Sequence, residues 1–325
     1  MALEIELKLS LQPQHVADLL RHPRLAASDV QNQGSRTLEN TYYDTPQQTL
    51  RQQRAALRIR NKGGQYIQTL KGGGQASGGM HTRQEFEWSL RSAEVDLALL
   101  QNTSLSSNLP LESLADQLQP VFRTDFSRQT WLLTRPATPP ALQIEIALDQ
   151  GDITVPGQAR AGHDQICELE LELMQGEPEQ LIALGLELAR DIPLLVNDVS
   201  KAQRGYRLMH PELLQITPPA TGNLSPQQQV QPRLSYWLRC VEGWQFSQQT
   251  NLLEQAAEAF CELHNTCCAL PEMLPEPIQH LFNRLHPACA TADTEAFSKQ
   301  LETTNPGLLC LLLLQWLRTK ETTTA

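Results

Sequence analysis

Aromatic residues are scarce, 5% of the 325-residue chain, so a core here must be filled mainly by aliphatic side chains. Long apolar runs are missing. The longest, Leu308–Leu314, stops at Gln315, far short of the roughly 18–20 residues that a membrane span takes. Positive charge is in deficit: 26 Lys and Arg against 36 Asp and Glu leave a net charge of −10. That excludes a global basic field for duplex DNA as the binding device. The seven cysteines form no regular framework and their number is odd, which argues against a disulfide scaffold. The segment MALEIELKLS has neither a basic stretch nor an apolar one, so no secretory signal is expected. The expectation is a cytoplasmic protein with reduced thiols and no membrane or nucleic-acid partner. No internal repeat with a period of 20–50 residues is found.

Lys and Arg are also absent from Pro211 to Pro232, where five prolines and five glutamines give the composition of an extended linker. The chain is therefore read as residues 1–210, a linker at 211–232, and residues 233–325. The first part alternates with period two along Leu3–Leu9, Ala56–Arg60, Leu142–Ile146 and Ile166–Leu173, which predicts strands. Asn61-Lys62-Gly63-Gly64 predicts a hairpin turn. Helices are expected at Pro13–Leu20, Ala93–Leu100 and Glu179–Ala189. Strands and hairpins without a βαβ rhythm suggest an antiparallel sheet closed into a barrel, an α+β arrangement. The last part reads as five helices with proline between them, a small all-α domain.

On each strand the charges of one face are of one kind. Arg58 and Arg60 share a face, and so do Glu168, Glu170 and Glu172. Three carboxylates about 6–7 Å apart repel one another unless a cation neutralises them, and paired arginines suit a polyanion. The competing reading is a solvated face of surface ion pairs.

Glu4-Ile5-Glu6-Leu7-Lys8 is an ExExK segment, and others follow it in order: Tyr42-Tyr43-Asp44-Thr45, Leu57-Arg58-Ile59-Arg60, Thr69-Leu70-Lys71, and Gly78-Gly79-Met80-His81-Thr82-Arg83-Gln84-Glu85. Arg128, Glu145 to Asp149, the ELELEL strand and Ser200-Lys201-Ala202-Gln203-Arg204 complete the series. Over about residues 3–207 the chain resembles the CYTH superfamily, the triphosphate tunnel metalloenzymes. It is most similar to bacterial inorganic triphosphatases that join a CYTH domain to a helical CHAD domain.

The resemblance implies an eight-stranded antiparallel β-barrel whose charged strand faces line a tunnel, with flanking helices. Resemblance and strand parity together nominate Lys8, Arg58, Arg60, Lys71, Arg83, Arg128, Lys201 and Arg204 as substrate-binding. Glu4, Glu6, Lys8 and Lys201 are expected to be catalytic. Glu4, Glu6, Glu168 and Glu170 are expected to hold two Mg²⁺ or Mn²⁺ ions, with Glu85, Glu145 and Asp149 positioning water or supporting the site. In the family one metal clamps the triphosphate and the other activates water.

The implied activity is hydrolysis of inorganic triphosphate to pyrophosphate and phosphate. Rivals are a thiamine triphosphatase, a class IV-type adenylyl cyclase, and a polyphosphate-binding module without turnover. Tyr42 and Asp44 read as structural, Asp44 or Thr45 capping a helix that starts at Pro46. His81 has no Cys or His partner nearby and reads as a residue that supports the site from behind or shapes a turn. Cys261, His264, Cys267 and Cys268 fit no standard zinc spacing and read as helix residues. The helical part carries six basic and ten acidic residues. It is therefore expected not to bind polyphosphate but to pack on the barrel or form a homodimer contact.

Overall fold

Alternating charged and aliphatic side chains cannot bury a helical stripe, but they give a strand one wet and one dry face. The computed structural model follows that rule through the first two-thirds of the chain; it describes residues 2–136, 141–157, 162–220, 222–290 and 293–324. In chain order these form β1 (Ala2–Leu11), α1 (Val16–Leu20), β2 (Val30–Asp44), α2 (Thr49–Gln52), β3 (Ala55–Lys62), β4 (Gln65–Ser77) and β5 (Met80–Leu90). Next come α3 (Leu111–Leu114), β6 (Gln119–Arg135), β7 (Leu142–Thr154), β8 (His163–Gln175), α4 (Glu179–Ala189), β9 (Leu194–Val196) and α5 (Lys201–Met209). Five helices end the chain: α6 (Pro226–Ser247), α7 (Thr250–Cys268), α8 (Glu276–Ala290), α9 (Thr294–Thr303) and α10 (Pro306–Thr324).

The β3–β4 hairpin turns at Gly63 and Gly64, with φ of 60° and 89°. Two consecutive left-handed residues match the twist of the flanking strands, and glycine adopts them without steric cost.

The closed eight-stranded barrel expected from the sequence is corrected to a nine-stranded antiparallel sheet in the order β5-β4-β3-β2-β6-β7-β8-β1-β9. The difference arises at β1, one edge of which is divided. Ala2–Leu7 pair with β5, and Leu9–Leu11 pair with β9. The division falls at Lys8, whose N–H donates to Gly79 O at 2.9 Å and whose carbonyl accepts from Asn197 N–H at 3.0 Å. Gly78 and Gly79, with φ of 60° and 76°, turn the chain there. Strand β9 has only three residues, too few for alternation to reveal.

Other expectations also shift. Ala93–Leu100 is not an α-helix; a short 3₁₀ stretch covers Leu97–Asn102, with the Asp96 carboxylate accepting from Ala98 N–H. Helix α6 begins inside the expected linker, at Pro226, behind a Ser225–Gln228 capping box. Proline at the first helical position loses no hydrogen bond. Pro232 and Pro287 lie within helices rather than between them.

The dry face of the sheet and the C-terminal helices share one core. Leu7, Leu9, Leu169 and Leu171 of β1 and β8 belong to the same cluster as Leu188 of α4, Leu311 of α10, and Trp237 and Phe260. Helix α10 runs so close to β9 that a Cβ on Gly307 would lie 1.7 Å from Leu194 O.

Candidate active site

Strand parity sends Glu4, Glu6 and Lys8 to the opposite face from Leu7 and Leu9, and Glu170 and Glu172 to the opposite face from Leu169 and Leu171. These side chains line a cavity of about 1610 Å³ together with Arg58 and Arg60 of β3, Lys71 of β4, Arg83 and Glu85 of β5, Arg128 of β6, Glu145 of β7 and Lys201 of α5. Charge therefore concentrates inside, where each group needs a partner.

Carboxylates of Asp149, Glu168 and Glu170 converge so that one oxygen from each lies within 4.8 Å of the others. Lysines and an arginine hold them together. Lys201 Nζ donates to Asp149 Oδ2 at 2.6 Å and Glu170 Oε1 at 3.0 Å, and also bonds Glu168. Lys8 Nζ donates to Glu168 Oε1 at 3.2 Å and bonds Glu170. Arg128 grips Asp149 with Nε and Nη2, both at 2.7 Å, and reaches Glu170 Oε2 at 2.5 Å. Glu145 lies 4.0 Å from the same guanidinium.

Glu4 and Glu6 form a second group across β1. Lys71 Nζ donates to Glu4 Oε1 at 2.8 Å and contacts Glu85 Oε1 at 3.0 Å. Arg83 Nε donates to Glu4 Oε2 at 2.8 Å, and its Nη2 bonds Glu6. Arg58 stands 3.6 Å from Glu85. Arg204, expected to bind substrate, is not part of the cavity lining; it pairs with Asp164 at 2.6 Å and Glu168 at 3.4 Å.

Burial alone would push the buried carboxylates up and the buried lysines down. The ion pairs outweigh it. Lys201, Lys8 and Arg128 hold Glu170 well below the usual carboxylate range, and Arg128 and Lys201 lower Asp149. Lys71 and Arg83 likewise depress Glu4. Glu168 and Glu170 raise Lys8. Two groups run the other way. Glu172 is pushed up to about 7 by burial and by the nearby Glu4. Arg60 is pushed down to about 9 by burial beside Arg58 and Arg128. Its Nε donates to Asn40 Oδ1 at 2.8 Å, and it forms no ion pair among the described residues.

Of the expected metal carboxylates, Glu168 and Glu170 lie in the three-carboxylate cluster. Glu4 and Glu6 face Lys71 and Arg83, and Asp149 joins the cluster beside Lys201. The donor set fits a hard divalent cation: three clustered carboxylates, two of them fully buried. Tyr42 was read as structural but lines the cavity, and Arg58, Arg60 and Lys201 draw its buried phenol down. Its signal was its place in the Tyr42–Thr45 segment. Asp44 accepts from the backbone N–H groups of Leu50 and Arg51 at 2.9 and 3.1 Å and from Tyr206 OH at 2.6 Å. It thus serves a helix that starts at Thr49, not Pro46. His81 Nε2 meets Asn197 O at 2.9 Å, beside the β4–β5 turn. His264 stacks on His286 with ring centroids 4.2 Å apart; the Cys289 side chain lies outside the described residues.

A family model for the CYTH domain matches residues 2–206. The chain belongs to the CYTH family. A CYTH relative from Haemophilus influenzae, an inorganic triphosphatase, is 35% identical over 206 residues, which make up 63% of this chain and 54% of that protein. The chain thus spans about half the length of the curated relative it matches. Among solved structures, an adenylyl cyclase candidate from Hippeastrum with a dominant triphosphatase activity aligns over 62% of this chain and 95% of its own, at 19% identity and a TM-score of 0.44. An adenylate cyclase candidate from Bacillus halodurans aligns over 62% and 96%, at 20% identity and a TM-score of 0.39. Among the described residues, no helix is long and apolar enough to cross a membrane.

Proposed function

We propose that this CYTH chain is a metal-dependent inorganic triphosphatase that hydrolyses tripolyphosphate to pyrophosphate and phosphate. One observation carries the reading: a three-carboxylate cluster reaches, through Glu170, the cavity that Arg58, Arg60, Arg83 and Arg128 line, and Arg60 forms no ion pair among the described residues. A pure anion binder gains nothing from Asp149, Glu168 and Glu170. A hydrolase needs them for a cation that offsets phosphoryl charge. Asp149, Glu168 and Glu170 would hold Mg²⁺ or Mn²⁺, with Glu6 close by; the ion supplies Lewis-acid stabilisation of the transferring group. Arg58 and Arg60 would fork onto non-bridging oxygens, and Lys8, Lys71 and Lys201 act as point charges. When an anion binds, the lysines can exchange carboxylate partners for phosphate oxygens without leaving the cavity. The reading includes residues 1–210 as the catalytic part and a reducing, cytoplasmic setting in keeping with the free thiols of Cys240, Cys267 and Cys310.

Phosphate release from tripolyphosphate, ATP and thiamine triphosphate, measured side by side, tests this. Tripolyphosphate is expected to lead ATP by at least about tenfold in kcat/KM, roughly 1.4 kcal/mol of transition-state preference. Activity should vanish in EDTA, and Glu170→Gln should cut kcat by about 10²-fold or more. Cyclic AMP as the main product from ATP, or undiminished turnover in EDTA, would refute the reading.

A further inference from the structure

The cavity does not stop at the strands. Its wall continues past α5 onto α6, where Gln228, Gln231, Ser235 and Arg239 line the space that Lys201 and Arg128 also line. Steps of three and four residues put these four on one helical face. That face is tied to the sheet and to α5. Gln231 Nε2 donates to Ser77 Oγ at 3.1 Å, Gly78 N–H donates to Ser235 Oγ at 3.3 Å, and Arg207 pairs with Glu242 at 2.5 Å, about one turn beyond Arg239. The other side of α6, including Val230, Leu234, Trp237 and Val241, is buried in the helical core. The polar stripe is thereby fixed toward the cavity.

Within that stripe Arg239 is unsatisfied. Its Nε is buried without a hydrogen-bond partner, and it forms no ion pair among the described residues. A guanidinium stays charged at any physiological pH and offers five N–H donors, so an Nε–H shut off from water without a partner costs free energy that an anion's oxygen would return. Space for the anion exists, because the cavity exceeds the roughly 300–1,000 Å³ that houses a drug-sized ligand.

We propose that Arg239, on the cavity-lining face of α6, is a phosphate-binding residue that the C-terminal helical part contributes to the cavity. It takes the end of an inorganic oligophosphate that faces α6. The identity of the anion rests on the triphosphatase reading; the presence of an anion subsite does not. On this account the helical part is not a passive appendage, and the substrate site is incomplete without it.

Titration calorimetry of tripolyphosphate in EDTA, on the full chain, separates the two ideas because it needs no turnover. Arg239→Gln is expected to weaken binding about tenfold or more, the size of a lost charge-assisted hydrogen bond. Arg239→Lys should restore part of the loss. Arg233→Gln, which removes bonds to Glu262 and Gln229 and lies outside the cavity lining, should bind like wild type. In steady-state assays Arg239→Gln should raise KM while kcat stays near wild type. Should Arg239→Gln fail to fold, Ser235→Glu, which sets a carboxylate one helical turn from Arg239, should weaken binding by a similar factor. Wild-type affinity in Arg239→Gln or Ser235→Glu, within twofold, overturns the proposal. So does a wild-type protein that fails to bind tripolyphosphate. A wild type that binds without hydrolysing sinks the triphosphatase reading and leaves the Arg239 comparison standing.

Discussion

Arg60 shows how much a single cation is asked to bear before substrate arrives. It is buried beside Arg58 and Arg128, with the Asn40 amide oxygen as its hydrogen-bond partner. Guanidinium does not release its proton at neutral pH, so the downward push on Arg60 measures the site's demand for an anion. Arg60→Met should therefore raise the Tm of the ligand-free protein by a few degrees. It should also remove most of the Tm rise that tripolyphosphate produces in wild type, as read by differential scanning fluorimetry. Glu172 is strained in the opposite sense. Its folded value near 7 lies above the ordinary 4.5, so the folded state holds the proton more tightly than the unfolded chain. The stability this gives is full below about pH 4.5 and is lost as pH rises through about 7. Glu172→Gln is expected to raise Tm relative to wild type at pH 8 and to leave Tm at pH 4.5 nearly unchanged. Both residues stand on alternating strands, so their inward direction was legible from parity. Their opposite strains were not, because each depends on neighbours brought in by other strands.

Among the elements, α5 links sequence signal to site most directly. Ser200 caps it, accepting from Gln203 N–H while the Gln203 side chain accepts from Ser200 N–H. Lys201 is the first helical residue, so the cap fixes where its ammonium enters the carboxylate cluster. Ser200→Ala should cost about 1 kcal/mol of stability in denaturant unfolding. It should also lower kcat more than it raises KM, since Lys201 would lose its fixed entry angle; unchanged kcat would make the cap purely structural. Strand β8 was equally readable, because Glu168, Glu170 and Glu172 alternate with three leucines. Strand β9 and the turn at Gly78–Gly79 were not. Alternation reports which way side chains point, and it carries no information on which backbone edge a strand shares.

For the molecule as a whole, one apolar cluster runs from the sheet to the helices that follow the proline-rich stretch. Leu7 and Leu9 of β1 lie in the same core as Leu311 and Leu314 of α10, and a Cβ on Gly78 would meet Leu314 at 2.5 Å. Ending the chain at Leu213 would expose that apolar face to water. The shortened protein is expected to lose its cooperative thermal transition and aggregate. A sharp transition and normal tripolyphosphate turnover in the shortened chain would mean that the helices only cover the sheet.

Charge parity, the segment order from Glu4 to Arg204 and the acidic strand were fixed by local rules that act within a few residues, so the sequence alone determined strands β1, β3, β7 and β8, their inward charges and the family. Partnership is non-local. Only folding could decide that Asp149 joins Glu168 and Glu170 while Glu4 and Glu6 turn to Arg83 and Lys71, that β9 takes part of the β1 edge from β5, and that Arg239 reaches the cavity from a helix that composition assigned to a separate domain. Each of these depends on which segments share a surface, and that is settled by burying the common aliphatic core.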